Sequence, residues 1–334
     1  MSASKLRLAA EWEHAQAIWI SWPHNQQTWP DAFDRIPGFF HAWAMQIAEV
    51  LPLKVLVPPH LMSDVGKRLN GQRIELLSCP TNDCWIRDYG PTVLVGEKPI
   101  ALDWKYNAWG GKYPPWDSDD AVAGFVASKI GIHCQRQALC LEGGALESDG
   151  AGRLLINPSC ITTKSRNPNK LPEQITWELK TLLSVDDVVT LDHGLVGDDT
   201  DGHIDQLARF VDPANIVVAV CDDIHDPNHA PLEHNYTHLC AWGAQQTPVV
   251  KIHRLPIPPA RFIQGQRLPE SYCNFLRLGT HALHVPSFGA AKTDAHAAGL
   301  LRELSGVPVI SVDCSDLIWG LGALHCASWN QPAV

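Results

Sequence analysis

The chain has 334 residues, 45% of them hydrophobic, enough for a sizeable buried core, and carries a net charge of -10 at pH 7. That acidity argues against a phosphate-backbone partner, which calls for clustered lysine and arginine, so no nucleic acid is expected. No apolar run approaches the roughly 18 residues that span a bilayer, and no basic-then-apolar leader opens residues 1–10, so no membrane partner is expected and the chain reads as cytoplasmic.

In chain order, residues 17–22 form a strand that Pro23-His24-Asn25 ends, a helix runs over about 38–51, and 55–57 and 73–77 are strands. Cys84-Trp85-Ile86-Arg87-Asp88-Tyr89-Gly90-Pro91 then precedes a strand at 92–95. The Gly90-Pro91 turn puts Asp88 at a strand-to-loop junction, where function often sits. Residues 107–117 hold too much glycine, proline and aromatic side chain for regular structure and read as a lid or an aromatic wall. A helix over 119–130 and a strand over 137–141 lead to Glu142-Gly143-Gly144, whose glycines permit either a close backbone approach or a plain bulge.

Residues 154–156 are a strand, 173–183 a helix, and 188–191 leads into Asp198-Asp199-Thr200-Asp201-Gly202-His203-Ile204-Asp205. With 206–211 as a strand beginning near Gly202, His203 and Asp205 are two apart and share one face. Strands at 216–220 and 249–252 flank a loop dotted with His225, His229, His234 and His238, which read as surface residues. Strands at 271–276 and 281–285, a helix at 293–304 and a strand at 307–310 precede Gly320-Leu321-Gly322-Ala323-Leu324-His325-Cys326.

The polar strand ends Asp88, Glu142, His203, Tyr272 and Cys326 recur at gaps of 54, 61, 69 and 54 residues. Five modules of about 65 residues arranged around a centre would use up the chain as one domain, residues 1–334, of α/β class. Ten cysteines without a C-x-x-C pair read as reduced thiols, not as disulfides or structural zinc. Thirteen tryptophans, Trp85 and Trp109 among them, offer aromatic walls for a delocalised cation.

Gathered into one pocket, these junctions supply a thiol (Cys326), an imidazole (His203) and carboxylates (Asp88, Asp205, Glu142). A cysteine after Gly-x-Gly, with a histidine elsewhere in the chain, is a candidate nucleophile. On a strand, His325 and Cys326 would face opposite ways, so His203 is the better partner. Paired carboxylates match the planar fork of a guanidinium, so a small cationic substrate is expected. The same carboxylates raise a thiol's pKa, so the empty pocket should react poorly.

Motifs from end to end carry a resemblance: Glu11-Trp12-Glu13, Ser21-Trp22-Pro23-His24-Asn25, Thr28-Trp29-Pro30, Trp85-Ile86-Arg87-Asp88 with Gly90-Pro91-Thr92, and the 107–117 loop. Glu142-Gly143-Gly144, Thr200-Asp201-Gly202-His203-Ile204-Asp205, Ser271-Tyr272 with Asn274-Phe275, and His325-Cys326 complete it. Together they resemble the agmatine deiminases, of the guanidine-modifying superfamily that also holds bacterial peptidylarginine deiminases. The resemblance implies a five-module α/β propeller (pentein) of pseudo-fivefold symmetry and catalysis without metal or organic cofactor. It also implies Cys326 as nucleophile, His203 as general acid/base, Asp88 and Asp205 as the guanidinium grip, and Glu142 as the group orienting His203.

The chain departs from the family pattern at Gln206, Tyr89, Leu321, Ala323 and residues 327–330. Asp199 is a candidate for a distal ammonium, with Trp85 and Trp109 as further substrate contacts. Peptidylarginine is the alternative substrate. A metallohydrolase on His203, Asp201 and Asp205, and a guanidinium-binding protein without turnover, are the readings from other classes. Oligomeric state is left open, a homo-oligomer included.

Overall fold

A computed structural model describes residues 6–334; the reading of residues 1–10 as lacking a leader falls partly outside them. Among the described residues one order of elements occurs five times: two antiparallel strands, a helix, and a third strand parallel to the second. Thr92–Val95, Ile100–Lys105, the helix Val122–Ile130 and His133–Cys140 make one such unit. Glu147–Ser148, Arg153–Ile156, Pro172–Leu183 and Asp187–Thr190 make the next. Ala208–Asp212, Asn215–Val220, His229–Gly243 and Lys251–Pro256 follow, then Leu276–Leu278, Ala282–Ser287, Ala291–Ser305 and Val309–Asp313.

The remaining unit joins distant parts of the chain. Ser328–Pro332 lies antiparallel to Ala15–Ser21, which pairs in parallel with Leu53–Val57 after the helix Ile36–Val50. Ile74–Ser78 extends that sheet. A parallel return needs a crossover long enough for a helix, and the helix then covers one sheet face. Ile36, Phe40, Trp43, Ala44 and Ile47 form such a covering stripe at helical spacing. Ile216 to Val220 are buried one after another because their strand is central and covered on both faces. No helix among the described residues is long and apolar enough to cross a membrane.

Three local expectations are corrected. The histidine-dotted segment is largely the helix His229–Gly243, which buries Leu232, Asn235, Leu239 and Gly243. Its Pro231 falls in the first turn, where the missing N–H costs nothing. His225, His234 and His238 are exposed as expected, whereas His229 is half-buried with its Nδ1 2.6 Å from the Cys221 carbonyl. Residues 271–275 are turn and coil, and the strand there is only Leu276–Leu278. Asp205 stands in a 3-10 turn, Ile204–Gln206, and His203 caps its start, ahead of the strand Ala208–Asp212.

That last correction is general. Asp88 lies in the single helical turn Ile86–Tyr89, Gly144 in the turn Gly143–Ala145, Asn274 just past a turn, and Cys326 in a turn before Ser328–Pro332. Each stands within a few residues of the first strand of a unit. The chemistry-bearing positions are therefore on the segments that link one unit to the next, where alternation of side chains does not apply.

Candidate active site

The linking segments converge at Gly144. A Cβ there would stand 2.6 Å from His203 Nδ1, 2.7 Å from Asp88 Oδ1 and 3.2 Å from Asp205 Oδ2, so only glycine leaves room for the three side chains. At Gly143 a Cβ would lie 2.1 Å from the Arg87 carbonyl. The close approach is thus the correct one of the two readings of these glycines. Gly202, at φ +103°, completes the frame: a Cβ would meet Asn157 Nδ2 at 2.4 Å.

His203 is fully buried between acids. Its Nδ1 is 3.6 Å from Asp88 Oδ1 and its Nε2 3.7 Å from Glu142 Oε2. Asp88 is fixed on both oxygens, Oδ1 accepting from the Gly144 N–H at 3.0 Å and Oδ2 from the Trp109 indole at 2.9 Å. Glu142 Oε1 accepts from Arg166 Nε at 2.7 Å, and Arg166 also donates to Asp201 Oδ2 (2.7 Å) and to the Thr200 carbonyl (2.9 Å). Arg166 carries no motif of its own, and sequence reasoning missed it.

Cys326 joins the cluster through Asp205. Its Sγ is 3.5 Å from Asp205 Oδ2, the oxygen that also lies 2.7 Å from His325 Nδ1. His325 and Cys326 therefore reach the same carboxylate, against the strand-based expectation, because they sit in a turn that closes with the Ala327 N–H on the Ala323 carbonyl. The fourth junction is Asn274, not Tyr272. Asn274 Nδ2 donates to Cys326 Sγ at 3.1 Å, and its Oδ1 accepts from the backbone N–H groups of His325 and Cys326. The Tyr272 hydroxyl instead donates to Asp294 Oδ1 at 2.8 Å. An asparagine two residues past the expected junction was the available signal.

Four buried polar atoms here lack any partner: His203 Nδ1 and Nε2, Glu142 Oε2 and Asp205 Oδ1. Buried polar groups are normally satisfied; the His203 nitrogens face Asp88 and Glu142 just beyond hydrogen-bond distance, whereas Asp205 Oδ1 is an acceptor open to a ligand's donor.

The electrostatics follow from burial and like charge. Burial lowers the pKa of an imidazole, but Asp88, Glu142 and Asp205 outweigh it and raise His203 to about 9. Burial, then Asp205 and Glu142, push Asp88 up to about 6, against the pull of His203 and Trp109. Burial works against ionisation of Asp205 and Glu142 too, yet His325 and His203 hold Asp205 below the usual carboxylate range, and His203 and Arg166 do so for Glu142. Burial, Asp205 and Asp88 drive the Cys326 thiol well above its ordinary value, with the Asn274 donor opposing them.

An acid-walled, protonated thiol should discriminate between alkylating agents by charge. A cationic haloacetamidine, which replaces the missing positive charge, should modify Cys326 at pH 7.5 roughly 100-fold faster than neutral iodoacetamide. Mass spectrometry of the modified peptide checks this; equal rates would contradict the electrostatic picture.

The other expected contacts are placed as follows. Trp109 belongs to the cluster through Asp88, and stacks edge-to-face with Tyr106 and Tyr113, so the 107–117 loop is an aromatic wall. Trp109 and Ala108 take left-handed φ of 55° and 50°, a strained backbone that aims the indole. Trp85 is buried against Trp29 and lies over Gly322, where a Cβ would be 2.5 Å from the indole. It buttresses the Cys326 turn. Asp199 Oδ2 accepts from the Tyr113 hydroxyl at 2.5 Å, and Lys112 donates to the Asp199 carbonyl. Burial and neighbouring Asp198 push Asp199 up to about 6, against Tyr113 and Lys112. Asp201 is engaged by Lys112 and Arg166, each at 2.7 Å, instead of standing beside His203 as a metal-ligand reading requires.

A thiol, a buried imidazole and three carboxylates, brought together on the links between repeated α/β units, define a site for covalent chemistry on a flat cation. The family model for Porphyromonas-type peptidyl-arginine deiminase matches residues 7–332, and the chain belongs to that family. The agmatine deiminase of Stutzerimonas stutzeri is 31% identical, with 98% of this chain and 95% of that protein aligned. A solved agmatine deiminase of Enterococcus faecalis superposes with a TM-score of 0.91 at 26% identity, covering 98% of this chain and 96% of that one. An agmatine deiminase of C. jejuni gives 0.89 at 28% identity, covering 99% and 97%.

Proposed function

We propose that the chain is a cysteine-dependent deiminase of a small guanidino compound, converting agmatine and water to N-carbamoylputrescine and ammonia. The observation that carries the reading is a buried carboxylate, Asp205, whose Oδ1 lacks a partner and whose other oxygen lies 3.5 Å from the Cys326 thiol, with the Asp88 carboxylate beside the same histidine. A guanidinium presents planar N–H donors to such acceptors and its carbon to the sulfur.

In this reading Asp88 and Asp205 grip the guanidinium nitrogens, and the positive charge of the bound cation favours the thiolate, so Cys326 gives up its proton to solvent. The thiolate adds to the guanidinium carbon, and His203, as imidazolium, gives its proton to one amino group of the tetrahedral adduct. Ammonia leaves, and a cationic thiouronium remains on the sulfur. His203, now neutral, takes a proton from water as the oxygen adds to the thiouronium carbon. Collapse expels the thiolate and leaves the ureido product, and the proton lost from the new hydroxyl ends on ammonia. Glu142, held by Arg166, keeps the His203 ring in place.

Asp199 supports agmatine over peptide-bound arginine: a carboxylate held at about 6 by burial and Asp198 is stabilised by a distal ammonium, which an internal arginine residue lacks. The names of the two agmatine deiminases that superpose on the chain support the same choice. The repeated unit and the convergence of its links support a five-module α/β propeller of pseudo-fivefold symmetry over a single domain. Ammonia release from agmatine, arginine and arginine-containing peptides tests the assignment. Agmatine should be turned over, with EDTA present, and release from peptides alone would move the assignment to peptidylarginine.

A further inference from the structure

His325 is buried between two carboxylates. Its Nδ1 is 2.7 Å from Asp205 Oδ2, and its Nε2 is 2.9 Å from Glu11 Oε1. A ring nitrogen facing a carboxylate oxygen has to donate, so a ring with both nitrogens so placed serves as a cation bridging two anions. Glu11 is itself held by Arg87 Nη1 at 3.0 Å and Arg209 Nη2 at 2.6 Å, and Arg209 continues to Glu147 at 2.7 Å. On this far side of His325, Glu11, Arg87, Glu147 and Asn330 line an open cleft of about 120 Å³. The near side is the thiol. Asp205 Oδ2, the oxygen that takes the His325 contact, is the one 3.5 Å from Cys326 Sγ.

We propose that His325 is a positioning residue for the reaction: a cationic bridge, braced from behind by Glu11 and the two arginines, that neutralises the Asp205 oxygen nearest Cys326 and so makes the thiolate accessible. The bridge also divides the labour of Asp205. Oδ2 is committed to His325, while Oδ1 has no partner and is left to accept from a guanidinium. Without the cation, Cys326 would face an uncompensated anion, and anions near a thiol oppose its ionisation. The turn around Leu324–Ala327 makes this geometry available, since two adjacent residues there meet one carboxylate.

The proposal rests on the deiminase reading only for its activity arm. Cys326 alkylation by iodoacetamide, followed on the intact protein across pH, needs no substrate and gives the independent arm. His325→Gln, which keeps a hydrogen bond but not the charge, should alkylate about tenfold more slowly at pH 8, one pKa unit's worth. The difference should close at higher pH, as the thiol ionises in both proteins. His325→Lys, which restores the cation, should stay within about threefold of the parent, and remains informative if the glutamine variant fails to fold. With agmatine, kcat/KM of His325→Gln should fall in parallel, chiefly in kcat. A rate that drops equally at every pH in a folded variant, no drop at all, or a lysine variant as slow as the glutamine one would overturn the proposal. Absence of agmatine turnover in the parent protein would sink the deiminase reading and leave the alkylation result standing.

Discussion

Cys326→Ala is expected to lower ammonia release from agmatine by at least about 10⁴-fold, equivalent to roughly 5.5 kcal/mol of transition-state stabilisation. The reason is that no other group in the cluster can take the sulfur's part. His203 has the acids Asp88 and Glu142 on its two ring nitrogens, and the carboxylates there are occupied in holding charge. Water alone would have to add to a resonance-stabilised cation. The substitution should leave the fold intact, because the turn is pinned through the backbone N–H groups of His325 and Cys326 on Asn274 Oδ1, not through the thiol. Agmatine should still bind, since the acids that grip it remain. A coupled ammonia assay with calorimetric binding separates the outcomes: binding kept and turnover lost is expected, whereas turnover within tenfold of the parent would remove Cys326 as nucleophile.

His203→Asn is expected to cost about 10²–10⁴ in kcat, the range of a lost general acid and base. It should also change the pH profile in a direction that follows from the charges. Near neutrality the empty site holds both protons. The acids keep His203 protonated up to about 9 despite burial, and burial with Asp205 and Asp88 keeps Cys326 as a thiol. The reacting form, a thiolate facing an imidazolium, has one proton fewer. The kcat/KM of the parent should therefore climb with pH from 7 toward about 9, the point at which the empty site begins to lose that proton. Asp88, at about 6, adds a second loss in more acid solution, as its carboxylate is neutralised and the grip on the cation fails. Without the imidazole the climb should continue past 9, governed by the thiol alone. A parent profile flat between pH 7 and 9 would contradict this assignment.

Much of this site was legible in the chain because its chemistry is local. Glycine beside acid at Glu142-Gly143-Gly144, and Gly202 before His203, are required by contacts that a Cβ would violate. The sixty-residue spacing of polar junctions follows from a repeated unit with one polar link per repeat. What was misjudged was the conformation of those links. Strand alternation does not hold for His203 and Asp205, or for His325 and Cys326, because the first pair caps and enters a 3-10 turn and the second lies in a turn. Asn274 and Arg166 were not foreseen, since an amide and an arginine act there through partners distant in sequence, Cys326 and Glu142. The helix His229–Gly243 was hidden by a weakly amphipathic face, legible only in the spacing of Leu232, Asn235, Leu239 and Gly243. Leu321, which departs from the family pattern, takes a left-handed φ of 67°, a conformation that costs a non-glycine residue about 1–2 kcal/mol.

The pairing of Ser328–Pro332 with Ala15–Ser21, sealed by the Trp19 indole on Gln331 Oε1 across 312 residues of sequence, sets when the protein can become reactive. A nascent polypeptide emerging from the ribosome carries its acids and imidazole early, but the sulfur arrives on the stretch that also welds the two distant strands. Chemical competence is thus tied to the weld between the two distant strands, because the sulfur stands two residues ahead of one of them.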